Sequence, residues 1–336
     1  MKKIFFFFLL IISFTPFANE QGAVTPLNGV DIWWQAHGDK SDPPVLLIMG
    51  INSNSKLWPQ DLIDGLVKES FYVITYDNRD TGKSSWVTSE PIFIKIIKIL
   101  PDFVIESFVD TVFDFMFNEE GKFNMEEVPS EYNLSDMAKD GLSILDYLAI
   151  EKAHIVGASL GGMIAQIIAI DHPDRALSLT AIMTTPGFDT EGLSGPSPIF
   201  KQAMKESFVL NLQGMEKEAL KISQIALTGS RFPFNEEAYE KRFDEILSHG
   251  NNTSSGHMAA VGASPNRFNR LGEIDLNTLI IHGAEDPLIP VDHGISLFEN
   301  INNSEKMILD GVGHEIPDEL LSEIVAKLKY HFNKGS

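Results

Sequence analysis

The chain of 336 residues contains no cysteine. That absence excludes disulfides, thiolate metal sites, a cysteine nucleophile and an acylated lipoprotein terminus. Cations are also scarce: 26 Lys and Arg stand against 47 Asp and Glu, a formal net charge of −21. Nucleic-acid binding needs Lys and Arg to neutralise phosphates, so the deficit argues against a nucleic-acid partner. It argues equally against docking on an anionic membrane by charge alone. The longest apolar run, Ile4 to Phe14 behind Lys2 and Lys3, covers eleven residues, whereas a spanning helix needs about 20. It reads as a secretory signal over residues 1–18, cleaved near Ala18. The expectation is export to the periplasm or the medium, with no stable membrane span after cleavage. What the chain does have is core material: 43% hydrophobic residues, with 23 Phe and four Trp, beside 22% charged residues. Such a composition suits one large globular domain carrying insertions.

Strands and helices alternate beyond the leader. Val24 to Gly38 holds Asn28-Gly29 between two strand-like pieces and reads as a β-hairpin. VLLIMG (Val45 to Gly50) and FYVITYD (Phe71 to Asp77) are short apolar runs of the kind buried on both faces of a parallel sheet. Between them Trp58 to Glu69 is helical, with Pro59 suited to the first turn. Leu134 to Leu148 reads as a helix with Ser135 as N-cap. AHIVGAS, LSLTAIMTT, LNTLIIHG and EKMILDGVG are further strands, and Asp318 to Phe332 closes the chain as a helix. Repeated β-α-β units with short links specify a mostly parallel sheet flanked by helices, an α/β class. Two segments interrupt it. Residues 187–269 read as a helical cap inserted into a core made of 19–186 and 270–336. Residues 89–131 form an unusually apolar insertion with helical spacing, divided at Pro101. The insertion is expected to pack on the cap or core, or, through 91–117, to serve as a lid or meet a lipid or other apolar surface.

Gly157-Ala158-Ser159-Leu160-Gly161 is a G-x-S-x-G pattern in which an apolar strand ends and an apolar helix begins. That is the setting of a nucleophile elbow, whose strained turn exposes the serine hydroxyl above a helix N-terminus. The similar Gly262-Ala263-Ser264-Pro265 lacks the second glycine. A serine needs a base, and the base an orienting carboxylate. Among nine histidines, His314 sits in a glycine-rich loop after the last strand, and Asp286 in the loop after the preceding strand. Parallel strands bring both loops to the sheet edge that carries Ser159. Glu285 and Asp292 are the alternatives for the acid. His282 ends a strand and reads as a packed side chain, His154 precedes the nucleophile strand, and His293 reads as a capping or surface residue. Oxyanion donors are expected from the Leu160 amide and from Ile51, after VLLIMG. Asp77, Arg79 and Asp80, in YDNRDTGKSS, read as a salt-bridged loop bracing that turn.

VLLIMGINSNSKLWPQDLIDGL, VITYDNRDTGKS, HIVGASLGGMIAQ, TLIIHGAEDPLIPVDHG and GVGHEIP together resemble the α/β-hydrolase superfamily, and within it the branch typified by aclacinomycin methylesterase. The resemblance implies an α/β-hydrolase fold with a helical cap and a hydrolase needing no cofactor and no metal. It implies Ser159 as nucleophile, His314 as base, Asp286 as orienter, and Ile51 and Leu160 as oxyanion donors. Met49-Gly50 stands where many relatives have His-Gly. The function expected is a carboxylesterase acting on a small-molecule ester. Lipase, thioesterase, C–C-bond hydrolase and perhydrolase activity, or a non-catalytic receptor role, are alternatives on the same fold. A serine nucleophile argues against haloalkane dehalogenases and epoxide hydrolases, which use aspartate at that position.

Overall fold

The computed structural model describes residues 22–124, 129–250 and 255–334, so the leader expected over residues 1–18 lies outside the described residues. A hairpin opens the described chain, with β1 (Ala23–Leu27) antiparallel to β2 (Val30–His37). Its turn residues Asn28 and Gly29 have φ of 47° and 79°, the left-handed pair that a tight right-twisted hairpin requires. Next come β3 (Pro44–Ile48), α1 (Gln60–Lys68) and β4 (Tyr72–Tyr76). Pro59 occupies the N-cap of α1, one position before the first turn expected for it.

The apolar insertion forms α2 (Ile92–Ile97) and α3 (Asp102–Met116), with Pro101 between them. α4 (Leu134–Tyr147) begins at Asn133 rather than at the expected Ser135. The Asn133 side chain accepts from the Asp136 amide, and the Asp136 carboxylate accepts from the Asn133 amide, both at 3.1 Å. This reciprocal capping box satisfies two orphan donors at once, which Ser135 inside the turn cannot do. Then β5 (Ala153–Ala158), α5 (Leu160–Asp171) and β6 (Ala176–Ile182) follow. Four helices come next: α6 (Pro198–Leu212), α7 (Glu216–Leu227), α8 (Glu236–His249) and α9 (Gly256–Gly262). The chain returns through β7 (Thr278–Gly283), α10 (Val291–Asn300), β8 (Ser304–Leu309) and α11 (Leu321–Lys334).

The eight strands form one sheet in the order β1-β2-β4-β3-β5-β6-β7-β8, parallel from β4 to β8. Alternation in β3 shows how both faces are filled. Leu46 and Ile48 join the cluster beneath α4, α5 and α10, while Val45 and Leu47 join the cluster beneath α1 and α11. All four are fully buried, so Leu46→Ala should cost about 2–5 kcal/mol. On the insertion, Ile105, Val109 and Phe113 of α3 pack with Leu212 of α6, whereas no residue of α2 is buried. Register positions the loops. Ile48 pairs with Gly157 and Gly283 with Leu309, so the turn after β3 leaves beside the turn after β5, and the β7 and β8 loops leave together.

Candidate active site

Ser159 follows β5 with φ 55° and ψ −119°, a region disfavoured for any residue with a Cβ. Close approach at the two flanking glycines permits the turn. A Cβ on Gly157 would lie 2.1 Å from the Gly161 carbonyl oxygen, and one on Gly161 would lie 2.0 Å from that of Ile48. The turn is held by the Ser159 amide donating to the Ile182 carbonyl at 2.9 Å and by the Thr184 hydroxyl donating to the Ser159 carbonyl at 2.7 Å. Leu160 is the first residue of α5, where helix N–H groups lack intrahelical acceptors.

Asp286 and His314 meet across the adjacent β7 and β8 loops, with His314 Nδ1 2.6 Å from Asp286 Oδ2. Asp286 Oδ1 accepts from the amides of Leu288 and Ile289 at 3.0 and 2.8 Å, which fixes the carboxylate plane. Burial alone would raise its pKa. The facing His314 and the hydrogen bonds from His282 and His314 outweigh that and hold the carboxyl well below the usual range, so Asp286 is ionised. The rival carboxylates are engaged elsewhere. Glu285 accepts from the amide and hydroxyl of Ser230, both at 2.8 Å, and Asp292 accepts from the Ser194 amide at 2.8 Å.

The turn after β3 lies against the elbow: a Cβ on Gly50 would be 3.2 Å from Ser159 Cβ and 3.7 Å from its Oγ. Ile51 follows Gly50, and Asn52 then takes a φ of 48°. The loop after β4 braces this turn, as its sequence suggests. Asn78 donates to the Met49 carbonyl at 3.0 Å, and Asp77 accepts from the Ser55 amide and hydroxyl at 2.9 and 2.7 Å. Arg79 forms a buried two-point bond to Asp140 at 2.7 Å, and Asp80 accepts from the Val87 amide at 2.5 Å and the Tyr132 hydroxyl at 2.8 Å. Asp77, Arg79 and Asp80 are thus scaffold.

A family model for the alpha/beta hydrolase fold matches residues 43–319. The chain belongs to the α/β-hydrolase family. Its likeness to methylesterases runs almost end to end. A rhodomycin D methylesterase of Streptomyces peucetius is 26% identical over 328 residues, 90% of this chain and 95% of that one. A 2-hydroxy-6-oxononadienedioate/2-hydroxy-6-oxononatrienedioate hydrolase of Paraburkholderia xenovorans is 31% identical over 180 residues, 51% of this chain and 58% of that one. Among solved structures, a thermophilic esterase from Thermogutta terrifontis shares the fold with a TM-score of 0.65 at 18% identity, covering 94% of this chain and 99% of that one.

In this α/β-hydrolase, two histidines of the β6–β7 helices reach the scaffold, contacts that no local sequence pattern announces. His257 Nδ1 accepts from the Asn52 amide at 3.0 Å, and His257 Nε2 faces the Arg79 carbonyl at 2.7 Å. Its Nδ1 must be the bare nitrogen and Nε2 the protonated one, and burial lowers its pKa. His249 sits 2.8 Å from Asp77 Oδ2 and packs edge-on against Trp33. His282 is packed as expected, 2.8 Å from the Ile289 carbonyl, and His154 is likewise buried, 2.8 Å from the Ser178 hydroxyl. His293 is not on the surface: it is buried in α10, with ring nitrogens 2.8 Å from the Thr185 hydroxyl and the Ser194 carbonyl. The decoy Ser264 donates to the Ala260 carbonyl at 2.6 Å and accepts from the Leu134 amide, a structural role.

A strap at residues 227–231 crosses the His314 loop backbone to backbone. The His314 amide donates to the Leu227 carbonyl and the Arg231 amide to the Gly311 carbonyl, both at 2.8 Å. A Cβ on Gly313 would be 2.0 Å from the Leu227 oxygen, and one on Gly229 would be 2.5 Å from the Gly313 nitrogen. Beside it a groove of about 440 Å³ opens between α6 and α7, lined by Ile199, Ala203, Ile222 and Ile225 and by Glu285 and Pro287 at the acid loop. Among the described residues no cluster of three or more His, Asp or Glu side chains is arranged to hold a metal.

Proposed function

We propose that this α/β-hydrolase is an exported carboxylesterase with Ser159, His314 and Asp286 as its triad and residues 187–269 as a cap over it. The observation that carries the reading is the Asp286–His314 bond at the sheet edge that bears the strained Ser159 turn. His314, with Nδ1–H held by Asp286, takes the Ser159 proton on Nε2 as Oγ attacks the ester carbonyl carbon. The oxyanion is met by the Ile51 and Leu160 amides. Collapse breaks the acyl–oxygen bond, and His314 returns the proton to the departing alcohol. Water, deprotonated by His314, then adds to the acyl-enzyme, and the acid leaves as Ser159 regains its proton. The methylesterase likeness supports an ester substrate.

The test is turnover of p-nitrophenyl esters and labelling by a serine-directed fluorophosphonate, comparing wild type with Ser159→Ala. Wild type should do both and the variant neither. A wild type that does neither overturns the reading in favour of a receptor on the same fold. The C–C hydrolase relatives support a second reading, in which His314 and Ser159 act on a carbon–carbon bond beside a ketone. Turnover of a 2-hydroxy-6-oxo dienoate with esters left untouched would favour it. N-terminal sequencing of chain recovered outside the cytoplasm tests export, with cleavage near Ala18 expected.

A further inference from the structure

Helix α2 and the start of α3 are apolar on two sides. Ile94 and Ile97 turn inward onto the cluster of Ile105, Val109, Phe113 and Leu212. Ile92, Phe93, Ile96, Ile99, Leu100 and Phe103 turn outward, with Ile92 73%, Ile99 81% and Phe103 70% exposed. A surface helix ordinarily shows polar residues to water. Single exposed apolar side chains need no explanation, but six within twelve residues form a patch of the kind that marks an interaction surface. Ile92 and Ile96 lie four apart on one side of α2, and Ile99 extends the apolar surface in the turn that follows. Behind the patch, α3 packs on α6, whose Ile199 and Ala203 line the groove.

We infer that α2 and the first turn of α3 lie flat on an uncharged or zwitterionic lipid surface, from which a lipophilic ester passes to the groove. The second half rests on the ester-hydrolase reading; the docking does not. Three features select this occupant. The segment is far too short to cross a bilayer, yet it exposes aliphatic and aromatic side chains continuously, the habit of an interfacial helix. Lys95 and Lys98 punctuate the patch, and their long stems let the ammonium groups reach headgroup level while the isoleucines stay below. Residues 90–114 hold five carboxylates against two lysines, which repels anionic lipid. The same charge disfavours a second copy of this chain, which would bring −21 against −21 across the patch.

The cysteine-free chain makes the test clean. Ile99→Cys and, at the opposite edge of the sheet just before β8, Asn302→Cys each accept one environment-sensitive thiol dye in the full chain. With phosphatidylcholine vesicles, the dye at 99 should shift to the blue and be quenched by brominated acyl chains, while the dye at 302 stays unchanged. Phe103→Asp should lower the vesicle-bound fraction at least tenfold and keep wild-type turnover of soluble short esters. No shift at 99, equal quenching at 302, or a strict need for phosphatidylglycerol overturns the proposal. So does a blue shift at 99 that grows with protein concentration in the absence of lipid, which would assign the patch to a second copy. Docking by a wild type that hydrolyses nothing would sink only the esterase reading, and hydrolysis of soluble esters without any lipid response would sink only the docking.

Discussion

Asp286→Asn tests the acid by changing almost nothing but a proton. Asp286 Oδ1 accepts from the Leu288 and Ile289 amides, so the asparagine oxygen must take that side. Its NH₂ group then occupies the Oδ2 position, 2.6 Å from His314 Nδ1. A donor there forces Nδ1 to become the acceptor, and the imidazole proton moves to Nε2, the nitrogen that should receive the Ser159 proton. The opposite amide orientation would set NH₂ against the half-buried Leu288 and buried Ile289 N–H groups and leave both unsatisfied, at about 1–3 kcal/mol for the buried one. The wrong tautomer should cost about 10⁴-fold in kcat, about 5 kcal/mol of transition-state stabilisation, with KM little changed. Initial rates on p-nitrophenyl butyrate and single-turnover fluorophosphonate labelling read the loss, and the thermal midpoint should stay within a few degrees of wild type. Asp286→Ala, which strands both amides, should lose the activity and several degrees as well. An Asp286→Asn enzyme keeping more than about a tenth of the wild-type rate would refute the tautomer argument. Glu285 would then be the next acid to replace.

Three further outcomes follow from the geometry. His257→Ala removes the acceptor of the Asn52 amide and the donor to the Arg79 carbonyl, so the turn carrying Ile51 loosens; kcat should fall about 10–100-fold at nearly constant KM, with partial rescue by His257→Gln. Gly157→Ala drives a methyl to 2.1 Å from the Gly161 oxygen, and soluble yield or urea midpoint should drop by the equivalent of several kcal/mol. Burial pushes His154 and His331 down to about 4 from 6.5. A base depressed in the folded state stabilises above its unfolded pKa, so this contribution is intact above about pH 6.5 and is lost as pH falls toward 4, up to about 3 kcal/mol per histidine. The urea midpoint measured from pH 7 to 4 should decline accordingly, and His331→Gln, which retains a donor for the Leu179 carbonyl, should flatten the slope.

Much of this was legible along the chain because the physics is local. VLLI, YVITY and TLIIHG are buried on both faces, so they read as unbroken apolar runs, and Ser159 declares itself through a strand, two glycines and a helix in succession. His314 and Asp286 were reachable by counting strands, since parallel topology sends alternate loops to one edge. The misses share a cause. Asn133 rather than Ser135 caps α4 because the reciprocal bond with Asp136 decides it, which propensity does not encode. His293 is buried through Thr185 and Ser194, about a hundred residues upstream. His257 meets Asn52 across 205 residues, a contact invisible until the chain is folded.

The glycine-on-glycine crossing of residues 227–231 over the His314 loop has a consequence for dynamics and for engineering. Backbone pressed on backbone has no side chain to yield, so a rigid swing of α7 cannot leave the His314 loop behind. In the proposed enzyme, any opening that moved α7 would therefore shift the base along with it. A chimera that grafts another protein's helices onto this sheet would need to carry its strap and its histidine loop as one inherited piece.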